Sequence, residues 1–291
     1  MKVLRASAMV LLLGMSVLLP SAAALAQDED DFDQSYDEYG ADVDEIMETD
    51  DALTYEARTA QAAREAGLDM ETVKMLEGVK WLGHASFLIE DEEIIYIDPY
   101  NVPDGLPAAD IILITHEHRD HLSPADIVKL LKPSTKVITV EAARSLVPSE
   151  VDSVIAVTPG QGIRVDGIKI DVVPAYNKDK DFHPKKRGDA GYVIHLTGRT
   201  IYHAGDTDFI DEMKDIDADI ALLPAGGTYT MDAEEAARAA DAIKPKVAIP
   251  MHWGTIVGSE KDAEAFVANC EVPAIVLDVY TPPADSDTER E

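Results

Sequence analysis

Thr115-His116-Glu117-His118-Arg119-Asp120-His121 stands directly after the apolar stretch within Asp110–Thr115, which reads as a buried strand. Three histidines and an aspartate fall inside residues 116–121. Imidazole and carboxylate together suit Zn²⁺, Mn²⁺ or Fe²⁺. In a turn leaving a strand, His116 and His118 can face one metal, while Asp120 and His121 swing to a second site nearby. A solvated structural loop gains nothing from three histidines, so ligand chemistry is the better reading.

Two further strands deliver ligand types at their C-terminal ends. Thr200–His203 runs into Ala204-Gly205-Asp206-Thr207, and Val247–Pro250 runs into Met251-His252-Trp253-Gly254. Ligand sites in open α/β sheets collect outside the carboxyl ends of strands. Asp206, lying between two metals, could bridge them, and His252 would join the second. Alone, Gly-Asp-Thr is often a turn and a single histidine is often structural; the convergence of three strands carries the argument.

The rest of the chain supplies the frame for these strand ends. Residues 52–76 read as two helical pieces broken at Gly67. Val79–Leu82, Ala85–Glu90 and Glu93–Asp98 are β-rich runs with hairpin-sized gaps. Ser123-Pro124-Ala125-Asp126 opens a helix with Ser at the N-cap and Pro at N1. A strand at Lys136–Val140 and a short helix at Ala142–Leu146 follow. Strands are expected at Ile168–Val173, Gly191–Leu196, Thr200–His203, Asp219–Leu223, Lys246–Pro250 and Ala274–Asp278. Helices are expected to start at Asp232 and Ser259. Two β-rich halves with interspersed helices imply two sheets packed together and covered by helices outside.

The ends differ from this body. Lys2 and Arg5 precede an apolar run over residues 6–19, and Ala24-Leu25-Ala26 fits a small-x-small cleavage site. Residues 1–26 therefore read as a signal peptide, and the protein as secreted or periplasmic with no stable membrane insertion after cleavage. Residues 28–51 hold 13 acids and no base, so 27–51 reads as an acidic disordered tail. The helical segment 52–78, a metal-site domain 79–281 and a tail 282–291 complete the organisation.

Composition bounds the function. The 291 residues carry 56 acids against 25 bases, a formal charge of −31, which disfavours nucleic acid as a partner. The single Cys270 excludes an internal disulfide and thiolate-rich zinc sites. A small-molecule substrate is expected; oligomeric state is not legible.

The run His116, His118, Asp120, His121, with Asp206 and His252 behind it, resembles the metallo-β-lactamase fold superfamily. Trp81-Leu82-Gly83-His84-Ala85-Ser86-Phe87, Tyr202–Thr207 and Pro250–Gly254 look like its small metal-dependent hydrolase branch, which includes sugar-lactone hydrolases and relatives of an N-acylethanolamine phospholipase D. The resemblance implies a four-layer αβ/βα sandwich, α/β in class, with one or two divalent metals, zinc first, at the sheet edges. The family usually adds a histidine just after the strand that here is Ile168–Val173. This chain has Pro174-Ala175-Tyr176-Asn177 instead. The nearest candidate is His183, if a loop folds it back; otherwise it lies on the surface and water completes the first site.

Other residues carry paired readings. His84 lines the pocket or is structural. His203 supports a ligand from behind or belongs to the core, and His195 reads as structural. Asp98 could accept a ligand imidazole's outer N–H. The N–H groups of Gly226-Gly227-Thr228-Tyr229, with Thr228 or Tyr229, could hold a substrate oxyanion, or form a plain turn. Lys185, Lys186 and Arg187 attract an anion or are simply solvated. The reaction expected is hydrolysis of an ester, lactone or phosphodiester by metal-activated water, with Asp120 orienting the nucleophile or taking its proton. The rivals are a metal sensor or scavenger without turnover, favoured by the missing histidine, and a di-iron oxidase. The latter type usually carries glutamate where His118 stands and partners a flavin domain.

Overall fold

Alternating β-branched and aromatic residues with tight turns between them make the first half of the chain a sheet. The computed structural model describes residues 53–283, so the expected leader 1–26, the acidic stretch 27–51 and residues 284–291 lie outside the described residues. β1 (Val79–Gly83), β2 (Ser86–Glu90) and β3 (Ile94–Ile97) form an antiparallel meander. β3 then continues in parallel with β4 (Ile111–Ile114), β5 (Lys136–Val140) and β6 (Ser153–Val157). The second sheet mirrors this order of pairing. β7 (Gly162–Val165), β8 (Ile168–Pro174), β9 (Ala190–Leu196) and β10 (Arg199–His203) are antiparallel. β11 (Ile220–Pro224) and β12 (Val247–Met251) follow β10 in parallel. Two six-stranded mixed sheets result.

The parallel strands β4 and β11, inside their sheets, and β12, at a sheet edge, are buried at every residue, as strands covered on both faces must be. Phe87, Tyr96, Tyr192 and Tyr202 are the bulkiest fully buried side chains. The Tyr192 hydroxyl donates to the Ile114 carbonyl at 2.7 Å, tying β9 to the end of β4, where the histidine-rich turn begins. A buried hydroxyl without that acceptor would be costly.

The helices start where their caps dictate. Ser123 caps α3 (Pro124–Lys129) by accepting from Asp126 N–H, and Asp232 caps α4 (Ala233–Ile243) by accepting from Glu235 N–H. Ser259 and Asp262 form a capping box on the last helix (Glu260–Asn269). The two N-terminal helices, Tyr55–Glu65 and Met70–Met75, are parted at Gly67. They share the core of the sheets through Ala63, Val73 and Leu76. The Tyr55 hydroxyl accepts from Trp81 N–H at 3.1 Å. Residues 53–78 are therefore packed onto the sheets and not set apart from them. The architecture is the expected αβ/βα sandwich.

Four elements differ from expectation. β6 and β7 are additional edge-side strands. Ala142–Leu146 contributes only one short turn of 3₁₀ helix, Arg144–Leu146. Ala274–Asp278 is not a strand. Ala274 bridges Ala248 of β12, while Val279 bridges Trp81 of β1. The segment crosses from the edge of one sheet to the edge of the other, so it cannot pair along either.

Candidate metal centre

Five chain segments converge where the strands end. β4 delivers residues 115–121, β10 delivers Asp206, β12 delivers His252, and the β1–β2 turn delivers His84. His183 comes from the long connection between β8 and β9. That connection folds back on itself, with Asn177 N–H donating to the His183 carbonyl at 2.8 Å. His84, Asp98, His183 and His252 all have positive φ, at 51°, 45°, 53° and 59°. They are four of the eight non-glycine residues with positive φ among the described residues. A left-handed non-glycine residue costs about 1–3 kcal/mol and persists where the surroundings over-determine it. Here each one turns the chain sharply, so that its side chain faces the centre.

The side chains form two neighbouring donor groups. His116, His118, His183 and Asp206 make one; His84, Asp120, His121 and His252 make the other. Within each, the ligating atoms lie within 4.8 Å of one another. Asp206 Oδ2 sits between the groups. It is 3.2 Å from Nε2 of His183 and of His252, 3.4 Å from Nε2 of His121 and 3.9 Å from Nε2 of His116. Asp120 Oδ2 lies 3.0 Å from His84 Nε2 and 3.6 Å from His121 Nε2.

Contacts behind the centre fix which nitrogen faces inward. Asp98 is fully buried. It accepts from Thr115 N–H at 2.8 Å, from the Thr115 hydroxyl at 2.6 Å and from His121 Nδ1 at 2.8 Å. The Thr115 hydroxyl, having donated to Asp98, accepts from His116 Nδ1 at 2.9 Å. Both rings therefore present Nε2 lone pairs to the centre, which is how an outer acceptor selects the tautomer of a metal-binding histidine.

Electrostatics follow from burial and crowding. Burial holds His116 well below the ordinary histidine value. Burial, then His183 and Arg187, hold His118 down at about 4. Burial also lowers His84, against the opposing pull of Asp120. Burial would raise Asp206, but His121 and His252 more than reverse it and keep the carboxyl well below its usual range. Asp120 behaves alike: burial is outweighed by the hydrogen bond from His84, leaving it at about 2. His121 alone is pushed up, because Asp206 and Asp98 overcome its burial. The centre thus sets the lowered imidazoles of His84, His116 and His118 beside the ionised carboxylates of Asp120 and Asp206.

A cation fits this donor set. His121 Nε2, Asp206 Oδ1 and both ring nitrogens of His252 are buried without a hydrogen-bond partner. Each orphaned buried polar atom costs about 1–3 kcal/mol, and native structures hold few. Gathered at one point, the Asp206 oxygen and the ring nitrogens that carry a lone pair form a cage for a positive charge.

Not every expected residue joins. His203 is buried, donating through Nε2 to the Ala85 carbonyl at 2.9 Å and accepting from Gly205 N–H at 3.2 Å. It sets the turn before Asp206 and contacts no donor side chain. His195 is half-exposed beside Asp171. His84 belongs among the donors and not on the substrate side: it is 1% exposed and its ring stacks 4.0 Å from that of His252. Thr228 is exposed and does not line the cavity. In this turn the N–H groups of Gly227 and Tyr229 are spent on the Met231 and Gly227 carbonyls, which takes two of the four expected donors. Tyr229 does line the cavity.

Sequence reasoning missed Asp189 and the place of Arg187. Asp189 is 3% exposed and takes both the Nε and Nη2 of Arg187. Arg187 Nη1 reaches 3.1 Å from His118 Nε2 and Nη2 reaches 2.8 Å from His183 Nδ1. Alternation of arginine and aspartate just before a strand was the one available signal. The centre opens through a cavity of about 340 Å³ lined by His118, Arg119, Asp120, Phe182, His183, Asp206, Tyr229, His252 and Ile256.

Residues 78–252 match the β-lactamase superfamily domain. A UPF0173 metal-dependent hydrolase of Pyrococcus abyssi is 35% identical over 203 residues, covering 65% of this chain and 89% of that protein. Another, of Methanosarcina barkeri, is 34% identical over 231 residues, covering 72% of this chain and 98% of that protein. Among solved structures, a protein assigned as a metal-dependent hydrolase from Parabacteroides distasonis is 33% identical, with a TM-score of 0.61 over 69% of this chain and 93% of that one.

Proposed function

This chain belongs to the metallo-β-lactamase superfamily and, within it, to the UPF0173 family of metal-dependent hydrolases; on that premise we propose a binuclear hydrolase of esters, lactones or phosphodiesters. The observation that carries the binuclear reading is Asp206 Oδ2, which lies within 4 Å of imidazole nitrogens from both donor groups. In this reading His116, His118 and His183 would hold one cation and His121, Asp120 and His252 the other, with Asp206 placed to serve both. His84 either adds a fourth donor to the second group or serves to aim Asp120. The imidazole and carboxylate donors, without thiolate, suit zinc.

Divalent cations at such a site acidify water and polarise a carbonyl or phosphoryl oxygen. The chain's own residues do the remaining work. Asp120, ionised at neutral pH and facing the cavity, would orient the attacking water through Oδ1, the oxygen that His84 does not touch. His84 holds the other oxygen, so the carboxylate cannot rotate. Asp98 and Thr115 keep His121 and His116 in one tautomer through the reaction. Phe182 and Tyr229 narrow the entrance and exclude bulk water. His183 within the first donor group removes the main support for a non-catalytic scavenger.

The N-terminal pattern, Lys2 and Arg5 ahead of an apolar run and Ala24-Leu25-Ala26, supports export, with a small-molecule substrate met outside the cytoplasm. Among the described residues no helix is long and apolar enough to cross a membrane.

The test is metal analysis combined with an ester, lactone and phosphodiester panel on wild type and on the His116→Ala/His118→Ala double variant. Two zinc ions per wild-type chain, one or none in the variant, and turnover only in the wild type are expected. Full metal occupancy in the variant would overturn the site assignment. Metal without turnover on any panel member would overturn the reaction class.

A further inference from the structure

Phe182 and Ile256 are two of the six large hydrophobic side chains exposed among the described residues, and both line the cavity over the metal centre. Exposed apolar groups gathered at one opening mark a binding surface. Phe182 packs edge-to-face on Tyr229, with centroids 4.7 Å apart at 76°. The arrangement is held from beneath. Asn177, 5% exposed, donates through one nitrogen to the Phe182 carbonyl at 3.0 Å and to the Tyr229 carbonyl at 2.7 Å. Two loops that are distant in sequence are thereby fixed as one apolar wall.

Arg119 is the only lysine or arginine among the cavity's lining residues. It is exposed and has neither an ion pair nor a side-chain hydrogen bond among the described residues. The neighbouring Arg187, by contrast, is committed to Asp189. In a chain of formal charge −31, carboxylates are abundant and a free guanidinium facing a cavity is not demanded by folding. A guanidinium presents a fork of donors matched to planar oxyanions.

We propose that this site selects an amphiphilic anion: an apolar body lying on Phe182, Tyr229 and Ile256, and a carboxylate that reaches Arg119. This rests on the reading that the cavity admits the substrate to the metal centre. Arg119 is a specificity-determining residue. It binds the charged end of the molecule, while the scissile group lies toward the donors beneath. A substrate that was merely apolar would leave Arg119 solvated and without effect.

The experiment separates binding from turnover. N-phenyl-1-naphthylamine and 8-anilinonaphthalene-1-sulfonate share one ring system and differ by a single anionic group, and both brighten on apolar surfaces. Each is titrated into zinc-loaded full chain, wild type and variant, by fluorescence. Arg119→Gln should weaken the sulfonate by roughly three- to tenfold, the range for a solvent-accessible charged contact, and leave the neutral probe unchanged. Arg119→Lys should retain most of the sulfonate affinity. The Phe182→Ala/Ile256→Ala double variant should weaken both probes. Equal sulfonate affinity in wild type and Arg119→Gln, or no effect of the double variant on either probe, would overturn the proposal. Charge discrimination that persists when the hydrolysis panel is blank would leave this inference standing and remove only the reaction class.

Discussion

Asp189 receives the Arg187 guanidinium and lies 3.3 Å from Nδ1 of His183. The outer nitrogen of His183, Nδ1, meets Arg187 Nη2 at 2.8 Å as well, so Asp189 holds both the ring and the guanidinium behind it. Asp189→Asn keeps the volume but loses the charge that anchors both groups. Zinc affinity of the His116–His118–His183 group should fall about ten- to hundredfold, the usual consequence of losing an outer acceptor. Competition with a chromophoric chelator measures this, with far-UV circular dichroism unchanged. Undiminished affinity would mean that the backbone alone places His183. At this scale the sequence was most legible where ligands lie close together, since spacing alone joins His116, His118, Asp120 and His121. Asp98 was legible because it ends a strand. Asp189 was not, because a lone aspartate before a strand has many uses, and His84 was legible only as a residue that lines the pocket or is structural. Only the fold brings them to the centre.

Gly226 lies two residues past the end of β11, where its backbone passes the residue after β12. A Cβ there would stand 2.1 Å from the His252 carbonyl oxygen, and Gly258 presses the same point from the other side. Gly226→Ala must therefore displace the turn that aims His252. We expect a stability loss of about 1–3 kcal/mol, as for other overpacked sites, together with weaker metal binding in the group containing His252. Gly67→Ala is the control. Its position is open, with φ +80°, so only backbone strain of about 1 kcal/mol is incurred and metal binding stays intact. Thermal denaturation and metal stoichiometry of both variants check this; equal metal binding by Gly226→Ala would show that His252 tolerates the shift. Strands with unbroken apolar cores, such as β4 and β11, were readable from the sequence because burial on both faces leaves no polar interruption. β7 was not, because Gly162–Val165 is short and half-exposed at a sheet edge. Ala274–Asp278 misled for the opposite reason: its apolar residues cover two sheet edges without pairing along either.

Charge is the property that belongs to the molecule as a whole. Many basic side chains of the described region already sit in ion pairs, among them Lys80 between Glu56 and Glu90, Arg199 on Asp91 and Lys136 on Asp166. Even without residues 1–51 the chain keeps 43 acids against 23 bases. Salt acts on both sets. Screening weakens the pairs, but exposed pairs contribute only about 0–1 kcal/mol each. It also relieves the repulsion among the excess carboxylates, which acts over many pairs and opposes the compact state. The screening length falls from roughly 10 Å at 0.1 M salt to roughly 3 Å at 1 M, enough to silence repulsion between neighbouring surface acids. The excess is large and the pairs are individually weak, so repulsion is the greater term. The midpoint of thermal unfolding should rise by several degrees between about 0.05 and 0.5 M sodium chloride. The zinc-loaded protein should show a smaller rise than the metal-free one, since bound cations neutralise Asp120 and Asp206 without help from salt. Calorimetric scans of both forms at matched pH test this. A midpoint that falls with salt would show that the ion pairs outweigh the excess charge. An identical rise in both forms would place the repulsion on the surface and away from the centre.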